Sequence, residues 1–508
     1  MKTVTLSGAL PENAASARAA LAEGRPALVW RKLVADTETP VGAALKLIVP
    51  GRGDFLLESV EGGETRGRYS LLGLDPDLMF RATGAACEVN RRWQHDREAF
   101  EPLPGESFAE LRALAASCQI DMPKELPQAL ACLVGYFAYE TIGLVEDLPR
   151  APQSELAVPD ILIARPTVTL VFDRLSDELF CISPIWSAEN PDRAIELAGE
   201  KIDSVLRSLA GAIPPQVKDA TLPDMELTPV MPEGLYESMV ARAKNYIEAG
   251  DIFQVVLAQR FTCPFPLPPL ALYRALRRVN PSPFLYFLDL PGFAVVGSSP
   301  EILVRVRHGE VTIRPIAGTR PRGKTDEEDR ANEESLLADA KERAEHLMLL
   351  DLGRNDVGRV AGKGSVKVTA SFTIERYSHV MHIVSNVVGK LSPDHDALDA
   401  LFAGFPAGTV SGAPKIRACE IIAELEPESR GPYAGGVGYF GPDGSIDSCI
   451  VLRTAVVKDG VMHVQAGAGI VADSNPEYEQ AECRHKAGAL IAAAREAARV
   501  ASEPDFGQ

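Results

Sequence analysis

Two glutamate pairs, far apart in the chain, place the strongest demand on the fold. Glu342 and Glu345 lie in KERAEHLMLLDLGRND, and Glu479 and Glu482 lie in NPEYEQAECRHKAGALIAAA. Both segments have the composition and apolar spacing of helices, so residues three apart share a face. A fold that makes these helices converge aims four carboxylates at one small volume. Like charges at that density need a cation or a basic pocket. Carboxylate oxygens suit Mg²⁺, which often binds through one or two protein carboxylates plus oxygens of its substrate. Taken singly, either pair is better read as the solvated face of an amphipathic helix.

The rest of the chain divides around a linker. Residues 26–180 read mostly as strands and turns, as in ALKLIVPGRGDFLLESV and TVTLVFDRLSDELFCISPIW, with GRGD, EGGE, DPD and DRLSDE as bounding signals. A helix is predicted over 191–209. The stretch GAIPPQVKDATLPDMELTPVMPEG that follows is rich in Pro and Asp and reads as a linker. It separates an N-terminal region, 1–225, from a second region, 233–500. There GLYESMVARAKNYIEAG is an amphipathic helix ended by Gly250, and DIFQVVLAQRFTC is a strand. Two hairpins turn at Pro442-Asp443-Gly444 and at Asp459-Gly460. A last helix is predicted over about 476–500.

Composition excludes several classes. Of the 508 residues, 46% are hydrophobic and 24% charged, enough for a large core. A net charge of −18 argues against nucleic acid or an anionic membrane as partner. The eight cysteines are scattered with no CxxC spacing, so neither a zinc site nor a disulfide framework is expected. The start, MKTVTLSGALPENAA, has no apolar core and carries Glu12, unlike a signal peptide. The best apolar run, residues 129–139, is too short to span a bilayer. A cytoplasmic location is the expectation.

Several further segments carry chemistry. LFAGFPAGTVSGAPKIRACEIIAEL joins a Gly/Ser/Thr loop to a helix beginning near Pro414. Such a junction favours an anion through free N–H groups and the helix dipole, although a capped turn explains it as well. QAGAGIVADS sets Gly467 and Gly469 around Ala468 at the end of a strand, which means either close approach of a ligand or a bulge. RPIAGTRPRG, with Gly318 and Thr319, has the same character. His382 alternates with apolar residues on a predicted strand, the usual setting of a hydrogen-bonded core histidine. Arg453 falls within the apolar strand SCIVLRTAVV, and facing inward it requires an anion.

The order of these segments is more specific than any one of them. From SSPEILVR through RPIAGTR, KERAEHLMLLDLGRND, HVMHIVSNV, FPAGTVSGAPK, YAGGVGYFG, CIVLRT, QAGAGIV and AECRHKA, residues 233–500 resemble the chorismate-utilising enzymes. FLLESVEGGETRGRYSLLG and CLVGYFAYE resemble the N-terminal region of anthranilate synthase component I. Three positions discriminate within the family. Ala317 stands where the similar aminodeoxychorismate synthases usually carry a nucleophilic lysine, and alanine is no nucleophile. Gln254 stands where isochorismate and salicylate synthases carry a water-activating lysine, and glutamine is no base at neutral pH. LLES with NPSPFLYF resembles a tryptophan-sensing site, with Leu285 replacing the family's usual methionine.

The resemblance implies an α+β fold of two large antiparallel sheets packed as a sandwich, with helices outside. It implies that chorismate binds with its ring carboxylate on Mg²⁺. Ammonia then adds at C2 as the C4 hydroxyl leaves, and pyruvate is eliminated to give anthranilate. Glu345 and Glu482 are the implied metal ligands, with Glu342 and Glu479 behind them. Glu301 is the implied acid for the C4 hydroxyl, and a raised pKa is expected. His382 and Thr409 complete the implied catalytic set. Gly318, Thr319, Tyr433, Arg453, Gly467, Ala468, Gly469 and Lys486 are the implied substrate contacts. Glu58, Ser59, Pro283, Phe284 and Leu285 form the implied tryptophan site. With no glutaminase signature in the chain, ammonia is expected from a separate glutamine amidotransferase subunit, anthranilate synthase component II, in a hetero-oligomer. The alternatives are an aminodeoxychorismate synthase component I with an unusual alanine, and a non-catalytic tryptophan sensor.

Overall fold

The computed structural model describes residues 11, 13–61, 65–214, 225–377 and 380–502. Among these residues, two antiparallel sheets of twelve strands each carry the architecture. They face one another across a common hydrophobic core. Tyr136 of one sheet meets Phe293 of the other edge-on, with ring centroids 6.1 Å apart.

Both sheets draw strands from both sides of the linker. In the first, strand Asp54–Glu61 pairs with Phe284–Leu290, setting Glu58 opposite Leu285 and Ser59 opposite Phe284. In the second, Leu133–Phe137 pairs with Gly436–Phe440. The hairpins follow their turn residues. Asp459 and Gly460 adopt φ of 50° and 73°, the left-handed pair that a tight hairpin requires, between Thr454–Lys458 and Val461–Ile470.

Helices cover the outer faces. Helix Pro191–Leu209 starts where Asn190 accepts a hydrogen bond from the Arg193 N–H and buries Ile195, Ile202 and Leu206. Helix Ala340–Gly358 packs on strands Ile316–Pro321 and Val380–Lys390 of the second sheet. Helix Pro476–Ser502 packs on Val461–Ile470 of the first. The two glutamate pairs therefore approach from helices on opposite layers.

Two expectations need correction. ALKLIV was expected in a strand, yet Pro40–Leu47 is a helix. The Thr39 hydroxyl accepts from the Gly42 N–H, and Pro40 fits the first turn, so a strong local start signal overrides the apolar pattern. Arg453 was expected inside a strand. It lies in the connection between Ile446–Ile450 and Thr454–Lys458, with φ of 48°.

Candidate active site

Glu301 sits where the two sheets meet, just after strand Phe293–Ser299. It is 5% exposed. The Thr409 hydroxyl, on the short turn Gly408–Val410, donates to its Oε1 at 3.0 Å. Burial pushes the Glu301 carboxyl up to about 8, against weaker opposing hydrogen bonds from Thr409 and the Ile316 N–H. At neutral pH this is a neutral acid holding a proton. A small cavity beside it is lined by Thr409, Gly408, Leu349, Leu352 and Asp356. Asp356 forms a buried ion pair with Lys415 at 2.9 Å, tying helix Ala340–Gly358 to helix Lys415–Leu425.

His382 lies on strand Val380–Lys390, directly opposite Thr319 on one side and Glu375 on the other. Its Nδ1 is 2.9 Å from the Gly318 carbonyl oxygen and 3.1 Å from the Thr319 hydroxyl. A carbonyl only accepts, so Nδ1 carries the hydrogen and Nε2 presents a lone pair. Burial lowers the His382 pKa below 6.5, and Arg453 lowers it further. Gly318 takes φ of 70° at a break in the strand register, and a side chain there would press on the Glu342 carboxylate. Only glycine fits this bulge without strain.

Arg453 is half-buried and makes no ion pair with any described residue. Burial lowers its pKa, an unfavourable setting for a guanidinium that an anion would relieve. Tyr433 is 8% exposed, and its hydroxyl accepts from the Gly467 N–H. Gly467 and Gly469 pair in unbroken register with Ala258 and Val256, so no bulge is present. A side chain on Gly467 would strike the Tyr433 hydroxyl at 2.8 Å, and one on Gly469 the Gln254 amide at 2.5 Å. The close approach is made by the protein's own Tyr433 and Gln254. Ala468, between them, faces the core and is fully buried.

The glutamate pairs meet through cations. The Lys486 ammonium lies 2.7 Å from Glu482 and donates to the Gly467 carbonyl at 3.0 Å. It also acts on Glu345 and Glu479. Burial raises the Glu345 carboxyl, and the Glu342 charge adds to it, while the Gln254 amide opposes by hydrogen bonding. Burial likewise raises Glu479, with Glu482 adding. Glu342 is held by Arg320 at 3.1 Å. Among the described residues no three carboxylate, His or Cys side chains close on one point as a preformed metal cage. The donor chemistry still fits a hard divalent cation. Carboxylates from two helices share one lysine as their local positive charge, and their oxygens are the donors such an ion prefers.

The N-terminal constellation is assembled as well. Glu58 is buried against Leu285 and beside Ser59. Its carboxylate is taken by Arg174, by the Tyr273 hydroxyl at 2.7 Å and by Arg277 at 2.9 and 3.1 Å. These bonds use all its acceptor positions, so a ligand's ammonium would have to displace one of them. Pro283 and Phe284 are half-buried at the start of the partner strand.

Sequence reasoning passed over Asp356, Lys415, Tyr377 and Glu375. The first two lie inside quoted motifs, LGRND and SGAPK, where a lone charge gave no sign that its partner lies on another helix. Tyr377 and Glu375 enter only through strand register.

Residues 54–492 match the model of the chorismate binding enzymes. The chain belongs to the chorismate binding enzyme family. Anthranilate synthase component 1 of Cereibacter sphaeroides is 53% identical over 93% of this chain and 95% of its own length. The Thermus thermophilus protein of the same name is 46% identical over 91% and 97%. Among solved structures, anthranilate synthase component I from Streptococcus pneumoniae superposes with a TM-score of 0.75 at 35% identity, covering 84% of this chain and 92% of that one. The menaquinone-specific isochorismate synthase from Escherichia coli shares the fold, with a TM-score of 0.68 at 19% identity over 96% of each chain. Glu301, Arg453 and both glutamate pairs all lie within the matched segment of this chorismate binding enzyme.

Proposed function

We propose that this chain is the large subunit of an anthranilate synthase, converting chorismate and ammonia to anthranilate and pyruvate. The observation that carries the reading is Glu301, a buried carboxyl raised to about 8 and oriented by Thr409. Loss of a ring hydroxyl needs a proton donor that stays protonated at neutral pH, and Glu301 is that donor. Arg453, lacking an ion-pair partner among the described residues, takes a substrate carboxylate. His382, with Nδ1 held by Gly318, keeps Nε2 available for a proton at the ring. Tyr433 and Lys486 bound the opposite wall. Glu345 and Glu482 would hold Mg²⁺, with Glu342 and Glu479 next to them. When bound, the ion neutralises and anchors the substrate carboxylate. Glu482 would be free for that role only when released by Lys486.

The names of the relatives, each a "component 1", support a partner that supplies ammonia from glutamine. The register of Ser59 with Phe284 and of Glu58 with Leu285 supports tryptophan sensing at the seam between the two regions. Ala317 is a buried methyl in strand Ile316–Pro321, which argues against the covalent chemistry of the aminodeoxychorismate rival.

The test is fluorescence detection of anthranilate with the purified chain, chorismate and Mg²⁺. Ammonium should support turnover and glutamine should not, until an amidotransferase subunit is added. Accumulation of an aminodeoxychorismate, or no product with ammonium, would overturn the reading.

A further inference from the structure

Tyr377 stands at the centre of the residues assigned above, although no motif marks it. It is 7% exposed. Its ring packs edge-to-face on the His382 imidazole, with centroids 5.5 Å apart and planes at 63°. Its hydroxyl donates to Glu375 Oε2 at 2.9 Å, and Glu375 is held in turn by Arg314. Its carbonyl accepts from Arg322 at 2.8 Å, and Arg322 is fixed by Asp329 at 2.8 Å. The ring is thus pinned at both ends, by its hydroxyl and by its backbone. It lies within electrostatic reach of Glu301 and Arg453.

We infer that Tyr377 is a positioning residue: pinned by Glu375, Arg314 and Arg322, its ring fixes the plane of the His382 imidazole and shields that ring from water. Among the described residues, the groups facing His382 come from three elements. Strand Ile316–Pro321 supplies the Gly318 carbonyl and the Thr319 hydroxyl. Strand Lys367–Arg376 and the residue after it supply Glu375 and Tyr377. The connection before Thr454–Lys458 supplies Arg453. Gly318 and Thr319 both hold the same ring nitrogen, and contacts on that one atom leave the imidazole free to swing about it. The Tyr377 edge supplies the second constraint, and a tilted imidazole is a misaligned base. Removing the aromatic edge also opens a path for water, so the imidazole titrates closer to its ordinary value.

This inference rests on the proposed reaction only for its kinetic arm. The first measurement is the NMR titration of the His382 ring in the full chain, assigned by the signal missing from His382→Asn. In Tyr377→Leu the midpoint should rise toward 6.5, while Tyr377→Phe, which keeps the edge, should leave it in place. The second is steady-state kinetics with ammonium. Tyr377→Leu should lose about tenfold in kcat with chorismate KM within about twofold, and Tyr377→Phe, which keeps the edge but loses the Glu375 anchor, should fall between it and the wild type. A midpoint unchanged in a folded Tyr377→Leu, with kcat falling only as folded protein is lost, would leave Tyr377 as filler and overturn the proposal. If the wild type makes no anthranilate, the reaction reading fails and the titration still decides the role of Tyr377.

Discussion

Replacing the buried acid by its neutral isostere, Glu301→Gln, separates what the site costs from what it does. The Glu301 carboxyl rises from 4.5 in the open chain to about 8 in the fold. Between those values the folded protein holds a proton that the unfolded chain has released. Stability therefore falls as pH rises through this window. Below it both forms are neutral and the substitution is nearly silent. Above it the wild type carries an ionised carboxylate in a site built for a neutral one. The span of the shift caps the penalty at about 5 kcal/mol, and local relaxation with water entry brings the expected figure to about 2–3 kcal/mol. For a chain of this size that amounts to a few degrees in Tm, at about 1–2 °C per kcal/mol. The amide oxygen still accepts from Thr409, so no hydrogen bond is lost. Thermal unfolding of both proteins at pH 5, 7 and 9, with anthranilate fluorescence on the same samples, is the assay. The variant should be inactive throughout, and its advantage in Tm should grow with pH. A Tm difference constant from pH 5 to pH 9 would refute the buried-acid argument, and an active variant would refute the catalytic one.

Thr409→Val removes the donor that favours the ionised form of Glu301, so the alkaline limb of kcat should move up by about one pH unit at constant free ammonia; an unmoved limb would detach Thr409 from Glu301. Glu345→Gln and Glu482→Gln should each abolish Mg²⁺-dependent turnover while leaving Tm unchanged or higher, because each removes one of several crowded carboxylates; Mg²⁺ titration of activity and a melting curve check both halves. Ser59→Phe should fill the seam beside Phe284 and weaken tryptophan binding by about tenfold or more, with uninhibited activity retained. Calorimetry with tryptophan on both proteins decides it, and equal affinity would take Ser59 out of the site.

The two glutamate helices, the hairpins and the strand bearing His382 were legible because each rests on local rules: spacing of three and four, Asp-Gly turns, alternation. The site residues that came through the family resemblance were carried by long ordered motifs. What escaped the sequence was long-range pairing. Nothing near Glu58 in the chain announces that Arg174, Tyr273 and Arg277 will close on its carboxylate. Nor does RND foretell that Asp356 will be buried against Lys415, 59 positions later. Arg453 misled for a related reason. A charged residue between apolar runs has the pattern of a strand, and only the left-handed φ of the folded chain shows the turn that frees its guanidinium. At Pro40 the error ran the other way, since the capping signal was local and readable but was outweighed by an apolar run.

The pairing of Asp54–Glu61 with Phe284–Leu290, and of Leu133–Phe137 with Gly436–Phe440, makes the chain resemble two interlaced hands more than two beads on a string. Neither length, cut free between residues 214 and 225, would carry a finished sheet. Each would end in bare strand edges that seek a partner. Such halves should be insoluble apart and should recover activity only when they meet. On the proposed tryptophan reading, the same interlacing would remove any need for a hinge between regulation and catalysis. A ligand that shifts Glu58 by a fraction of an ångström pulls on hydrogen bonds shared with the strand at Leu285, and through Phe293–Ser299 on the segment that ends in Glu301. The proposed message and the proposed chemistry would then share one continuous ribbon of backbone.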